Sequence, residues 1–274
     1  MNPKLRALLI LGLGISISAE AQVVGTSLNI GTSPTANTVG GQASGALGAS
    51  NTVSGANSLG VGYLNSVTGA YSGSVGYVNS VGGSSSLEVG AYNYQGTSPI
   101  RSLLVGTSNS LSGGAQMLIA GSSNSHSSSA STNSVLFGQS NNYSGTLTNS
   151  GLVGSYNGVV SSSSVLTDTL VAGHMNTVEG GSSFVAGESN VAKGLQKYVL
   201  GRGLIADQAN AMVALGTYNV QPVAGQILAV RYGISSATAD RKNALEVYSD
   251  GKVTIPKRQG DIKMGAYGPA GADN

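Results

Sequence analysis

The sequence predicts an all-β protein, a parallel β-roll or solenoid of 14-residue coils closed by a C-terminal β cap, and three observations carry that expectation. The tetrapeptide Gly-x-x-Asn recurs at Gly48/Asn51, Gly62/Asn65, Gly76/Asn79 and Gly90/Asn93 with a strict period of 14, then continues with looser spacing to Gly216/Asn219. Apolar residues alternate ahead of each glycine, as in Leu59/Val61, Leu87/Val89 and Leu103/Val105, which is the period of a short strand. Composition agrees: 42 of 274 residues are glycine and only 9% are charged, with no cysteine and no tryptophan, too little bulk for a conventional globular core.

In chain order, residues 1–21 read as a secretory signal. Lys4 and Arg6 precede the apolar residues 7–17, and Ala19-Glu20-Ala21 supplies the small-x-small cleavage pattern, so the mature chain is expected to begin at Gln22. No apolar run reaches the roughly 20 residues of a membrane helix. An entry segment, 22–47, leads into the repeats of 48–221. Residues 22–87 contain no Asp, Glu, Lys or Arg, so their solvent face is made of hydroxyls and amides.

Within each repeat the residues one and three before the glycine share a strand face and are expected to point inward, with Ser86 on the solvent side. A second strand follows the Asn, with Val53, Val67, Val81, Leu111, Val159 and Val178 two residues on. Gly62, Gly76 and Gly90 with Asn65, Asn79 and Asn93 form the turn ladder. Glycine is free to take positive φ, and Asn is the next most tolerant residue there. One repeat departs, with Leu204 in the Asn position. Residues 222–258 form the cap: a strand over 226–232 and a hairpin of 244–248 and 252–255 around Asp250-Gly251. Residues 259–274 are a tail.

A coil of 14 residues offers roughly three or four inward side chains, too few to offset the ordering cost of the chain. Symmetric association, each chain laying a flat apolar face on its neighbours, supplies the missing burial.

Ser58-Leu59-Gly60-Val61-Gly62, Ser86-Leu87-Glu88-Val89-Gly90, Ser102-Leu103-Leu104-Val105-Gly106 and Ser134-Val135-Leu136-Phe137-Gly138 resemble the Ser-Val-Ala-Ile-Gly signature of YadA-type head repeats in trimeric autotransporter adhesins. The resemblance covers about residues 38–221 and implies a left-handed roll, a homotrimer and an adhesive role at a bacterial surface. Residues 240–253, with Arg241-Lys242-Asn243-Ala244, are similar to the Arg-Ser-Asn-Ala module that follows such repeats in bacterial surface and phage tail-fibre-like proteins. The adhesin pattern is incomplete: no heptad stalk and no set of membrane-barrel strands follows the head.

Chemistry-bearing residues are sparse. Gly201-Arg-Gly203 and Gly60-Val-Gly62 lack the strand-turn-helix setting of a phosphate loop, and the mature charge of about +1 makes no case for nucleic acid. His126 and His174 are isolated, His126 standing where other repeats have Val, and Glu88, Asp168, Glu179 and Glu188 give no paired carboxylates. No cofactor, no metal and no catalytic residue is expected. Tyr63 and Tyr77 occupy one position in successive coils, and Tyr92 and Tyr156 sit one place later in theirs. Such columns stack on sugars or grip a partner surface. The longer coils at 122–133, 143–150 and 160–169 are expected to project as recognition loops. The expected function is a secreted or cell-surface adhesive protein binding a host or environmental glycan or protein surface. The alternatives are a carbohydrate-active β-solenoid enzyme and a phage tail-fibre-like receptor-binding protein.

Overall fold

A computed structural model of the chain describes residues 19–24, 27–32, 36–128, 130–160, 166–207 and 211–255. They form a β-solenoid of about 13 turns followed by a cap that carries one short 3-10 turn at Thr238–Asp240. Among the described residues no helix is long and apolar enough to cross a membrane. Each coil gives a longer strand, such as Leu59–Tyr63, Gly73–Tyr77 and Leu87–Ala91, and a short one, such as Ser66–Val67 and Ser80–Val81. The longer strands pair in parallel with glycine opposite glycine, Gly62 with Gly76 and Gly76 with Gly90. The short strands make a second parallel sheet from Thr38–Val39 to Ile205–Ala206.

The repeat glycine is required twice over. Gly62 has φ +117°, and a Cβ there would lie 2.0 Å from the Gly76 carbonyl oxygen of the next coil. The Asn has a different role from the one expected of it. Positive φ falls on the residue before it, Leu64 (φ 54°) and Val78 (φ 54°), while Asn65 and Asn79 are buried and linked coil to coil. Asn65 donates from its backbone N–H and from Nδ2 to Asn51 Oδ1, each at 3.0 Å. Its Nδ2 also donates to the Val61 and Gly76 carbonyls at 2.9 and 3.0 Å. The pattern repeats from Asn37 to Asn190, so a polar side chain satisfies the corner backbone that the roll withdraws from water. Where Leu204 breaks the pattern, its N–H still donates to Asn190 Oδ1 at 2.9 Å, but nothing is passed onward.

The strand register is the reverse of the expectation. The interior is filled by the residue two before the glycine, Ala46, Gly60, Ser74, Glu88, Leu104, Ile119, Leu136, Leu152, Val171, Val185, Val199 and Ala214, and by Ala229 in the last parallel strand, where Arg231 takes the glycine's place. Opposite them lie Val53, Val67, Val81, Leu111, Val159 and Val178, all buried as the second column expected. The residues one and three before the glycine therefore face outward, leaving Leu59, Val75, Leu87, Val105, Val153, Leu170 and Leu200 exposed. Space explains the choice: a Cβ on Gly60 would lie 2.9 Å from Val53 Cγ2, so the early coils admit only small residues there. Ser86 is correspondingly buried, donating to the Ser84 carbonyl at 3.0 Å and accepting from the Ser102 N–H at 3.2 Å.

Two of the expected recognition loops are built into the roll instead. His126 and Tyr143 take inward positions of the short-strand sheet, fully buried, with rings stacked at 5.3 Å. Leu147 is also buried, and Leu147–Thr148 pairs with Leu166–Thr167 as extra strands of the wide coils. Added residues widen the cross-section because their apolar members gain more from the core than from solvent. Residues 161–165 of the third loop lie outside the described residues.

The C-terminal cap is antiparallel. Gln226–Tyr232 runs parallel to Met212–Thr217, then Asn243–Tyr248 and Val253–Thr254 fold back in turn, covering the last coil. The residues of the Arg-Ser-Asn-Ala-like string fasten it: Arg241 Nη1 donates to the carbonyls of Gly203 (2.9 Å) and Asn219 (3.1 Å). Buried Arg231 Nη1 donates to Asn243 Oδ1 at 2.9 Å. At the other end Ala19–Val24 pairs antiparallel with Ser27–Thr32, so the cleavage point expected after Ala21 falls inside a strand. The rest of the expected signal, 1–18, and the tail 259–274 lie outside the described residues.

Candidate functional site

The corner where each longer strand ends carries the tyrosines, because the residue after the repeat glycine points out of the roll. Parallel pairing sets Tyr63 directly beside Tyr77, and their rings stack at 5.5 Å with planes 16° apart. Tyr92, in the next coil, meets Tyr77 edge-on at 5.3 Å. The three rings are 39, 43 and 54% exposed, and Tyr94 extends the patch onto the short-strand sheet. The Tyr92 side chain holds the Tyr77 phenol above its ordinary pKa. The neighbours of the stack in the same column are Ala49 and Ala91, so small residues flank a raised aromatic ridge. Ser66 and Ser80 add hydroxyls beside it. An uncharged ridge of rings and hydroxyls suits the apolar faces and hydroxyl edges of sugars or a polar protein surface.

Tyr156 is not part of this group. It lies coils away, edge-on to His174 at 5.6 Å, and Ser155 Oγ sits 2.9 Å from His174 Nδ1. Glu179 and Glu188 do not face each other as a carboxylate pair. Each is in an exposed ion pair with the following coil, Glu179 with Lys193 at 3.4 Å and Glu188 with Arg202 at 3.2 Å. Among the described residues no group of three His, Asp or Glu side chains stands close enough to hold a metal ion.

A larger feature is the outer face of the longer-strand sheet, a flat apolar face of the kind the sequence predicts, but made by the two columns expected to point inward. Its two apolar columns run beside each other along the array; in some coils a large residue stands with a small one, as in Leu170 with Ala172, Phe184 with Ala186 and Gly151 with Val153, and in others both are large, as in Leu87 with Val89 and Val135 with Phe137. A shallow groove of about 780 Å³ crosses this face near Val135, Gly151, Leu170, Phe184 and Tyr198. The signal was present in the alternation itself, which locates one face and leaves open which side of the strand it lies on.

No protein-family model matches the chain, and neither a curated protein nor a solved structure is detectably similar to it.

Proposed function

We propose that this chain is a secreted, surface-displayed structural and adhesive protein whose roll associates with two further copies of itself and binds by its outer corners. The observation that carries this reading is the continuous outward apolar face. Monomeric soluble proteins rarely expose a large contiguous apolar patch, and such a patch marks an association surface. Three copies is the number that the resemblance to adhesin heads implies. The exposed ridge of Tyr63, Tyr77 and Tyr92 then appears once per chain, so weak contacts to a glycan or protein surface add together. The reading is non-enzymatic, consistent with the scattering of the acidic residues and with the involvement of Glu179 and Glu188 in surface ion pairs.

Mass measurement of the protein in solution tests the association. A trimer that Val75→Asp together with Val153→Asp converts to monomer is the expected result, and a wild-type monomer at micromolar concentration refutes it. Adherence to immobilised glycans and host-matrix proteins tests the binding. Tyr63→Ala with Tyr77→Ala should reduce it at unchanged mass and melting temperature, and full adherence by that variant excludes the ridge.

A further inference from the structure

The interior of the roll is not continuous. One apolar cluster comprises Ala46, Val53, Val67 and Val81, with Val39 packed against it, and a second begins at Leu104 and Leu111 and runs to Ala229. Between them the coil of residues 87–95 places Glu88 and Gln95 in the positions that Leu104 and Leu111 hold one coil later. Glu88 is 0% and Gln95 1% exposed. Neither carboxylate oxygen of Glu88 and neither amide atom of Gln95 meets a partner in hydrogen-bonding geometry.

The strands packed against Glu88 offer it no charge. Gly73–Tyr77 presents Ser74 inward, Leu103–Thr107 presents Leu104, and Ser80–Val81 presents Val81. The titratable groups on these coils are Tyr77, Tyr92 and Tyr94, all exposed at the outer surface, and Tyr71 and Arg101, exposed in the turns before Gly73 and Leu103. His126 lies two coils further along the Gln95 column, beyond Leu111. A carboxyl group so placed fits the interior when it carries its proton, and an ionised one is left without solvation or a counter-charge.

We propose that Glu88 is a protonation-controlled joint in the roll: with its proton in place the preceding coils stay docked on the following ones, and its ionisation releases residues 37–87, the coils that carry Tyr63 and Tyr77. The geometry makes this the weak point. The cluster before the joint contains only four buried apolar residues, so the N-terminal coils can open without unfolding the rest of the array. Burial raises the carboxyl to about 8 from an ordinary 4.5, with the nearby Ser80 backbone pulling the other way. Because the folded value lies above the unfolded one, docking is strongest below pH 4.5 and is progressively lost as pH rises towards 8. From pH 6 to pH 9 the equilibrium for opening the N-terminal coils increases about a hundredfold.

Hydrogen exchange of the intact protein at these two pH values, corrected for the pH dependence of the chemical exchange rate, tests the joint. Residues 45–81 should lose about a hundredfold in protection while residues 104–206 keep theirs. Glu88→Gln, which cannot ionise, should remove the difference, and Glu88→Leu, which restores the residue type of the next coil, should do the same. An equal response in both parts, or the same loss in either variant, overturns the proposal. The readout is backbone protection and not adherence, so its failure leaves the adhesive reading standing and the converse also holds.

Discussion

Asn124 lies in the middle of the Asn ladder, and its removal gives the most direct measure of what holds the coils together. Its Nδ2 donates to Asn109 Oδ1 (3.1 Å), the Ala120 carbonyl (3.2 Å) and the Gly138 carbonyl (2.8 Å). Its Oδ1 accepts from the backbone N–H and the Nδ2 of Asn141 at 3.1 and 3.0 Å. Asn124→Ala deletes all five bonds in a site with no exposure. At about 1 kcal/mol net for each bond the upper figure is about 5 kcal/mol, and the Asn141 N–H left buried without its acceptor alone costs about 1–3 kcal/mol. The expected loss is therefore about 3–5 kcal/mol. In a chain of this size that lowers the melting temperature by roughly 5–9 °C. Asn142→Ala, exposed and one residue past Asn141, the next member of the ladder, is the control and should stay within about 0.5 kcal/mol of the parent. Urea unfolding followed by circular dichroism reads both. If Asn124→Ala lies within about 1 kcal/mol of Asn142→Ala, the ladder is decoration and the apolar core carries the fold alone.

Three further outcomes follow from the same geometry. Leu152→Asp should abolish folding or cost several kcal/mol, because it places an unpaired charge at 0% exposure, whereas Val153→Asp should leave the fold of the single chain intact; equal losses in thermal melts would contradict the register. Gly62→Ala should destabilise by more than about 2 kcal/mol, since its Cβ meets the Gly76 oxygen at 2.0 Å, and an unchanged melting temperature would show that the coils can separate to admit it. Burial lowers the His126 ring to about 4. The unfolded chain then takes up the proton first as pH falls below 6.5, and stability should drop by about 2 kcal/mol between pH 7 and pH 5. His126→Val should remove that slope, and a slope that survives in the variant assigns it to another group.

The sequence alone determined the period, the parallel stacking and the position of the strands, because glycine spacing and period-two alternation are local signals that survive without tertiary context. The cap was legible in the same way, its hairpin arms lying within about two residues of the observed strands Asn243–Tyr248 and Val253–Thr254. The Tyr63/Tyr77 neighbourhood was also readable, since residues one period apart must meet in a parallel stack. Which strand face turns inward was decided only by the assembled roll. Alternation is symmetric between the two sides, and in the early coils the outward pair Leu59 and Val61 is more apolar than the inward Gly60. The same limit hid the role of Asn65, whose bonds run to residues 11 and 14 positions away. It hid the absorption of His126, Tyr143 and Leu147 into the core and the isolation of Glu88 as well. These depend on what stands one coil above and below. Cross-section and neighbour identity are properties of the stack, and no single stretch of chain contains them.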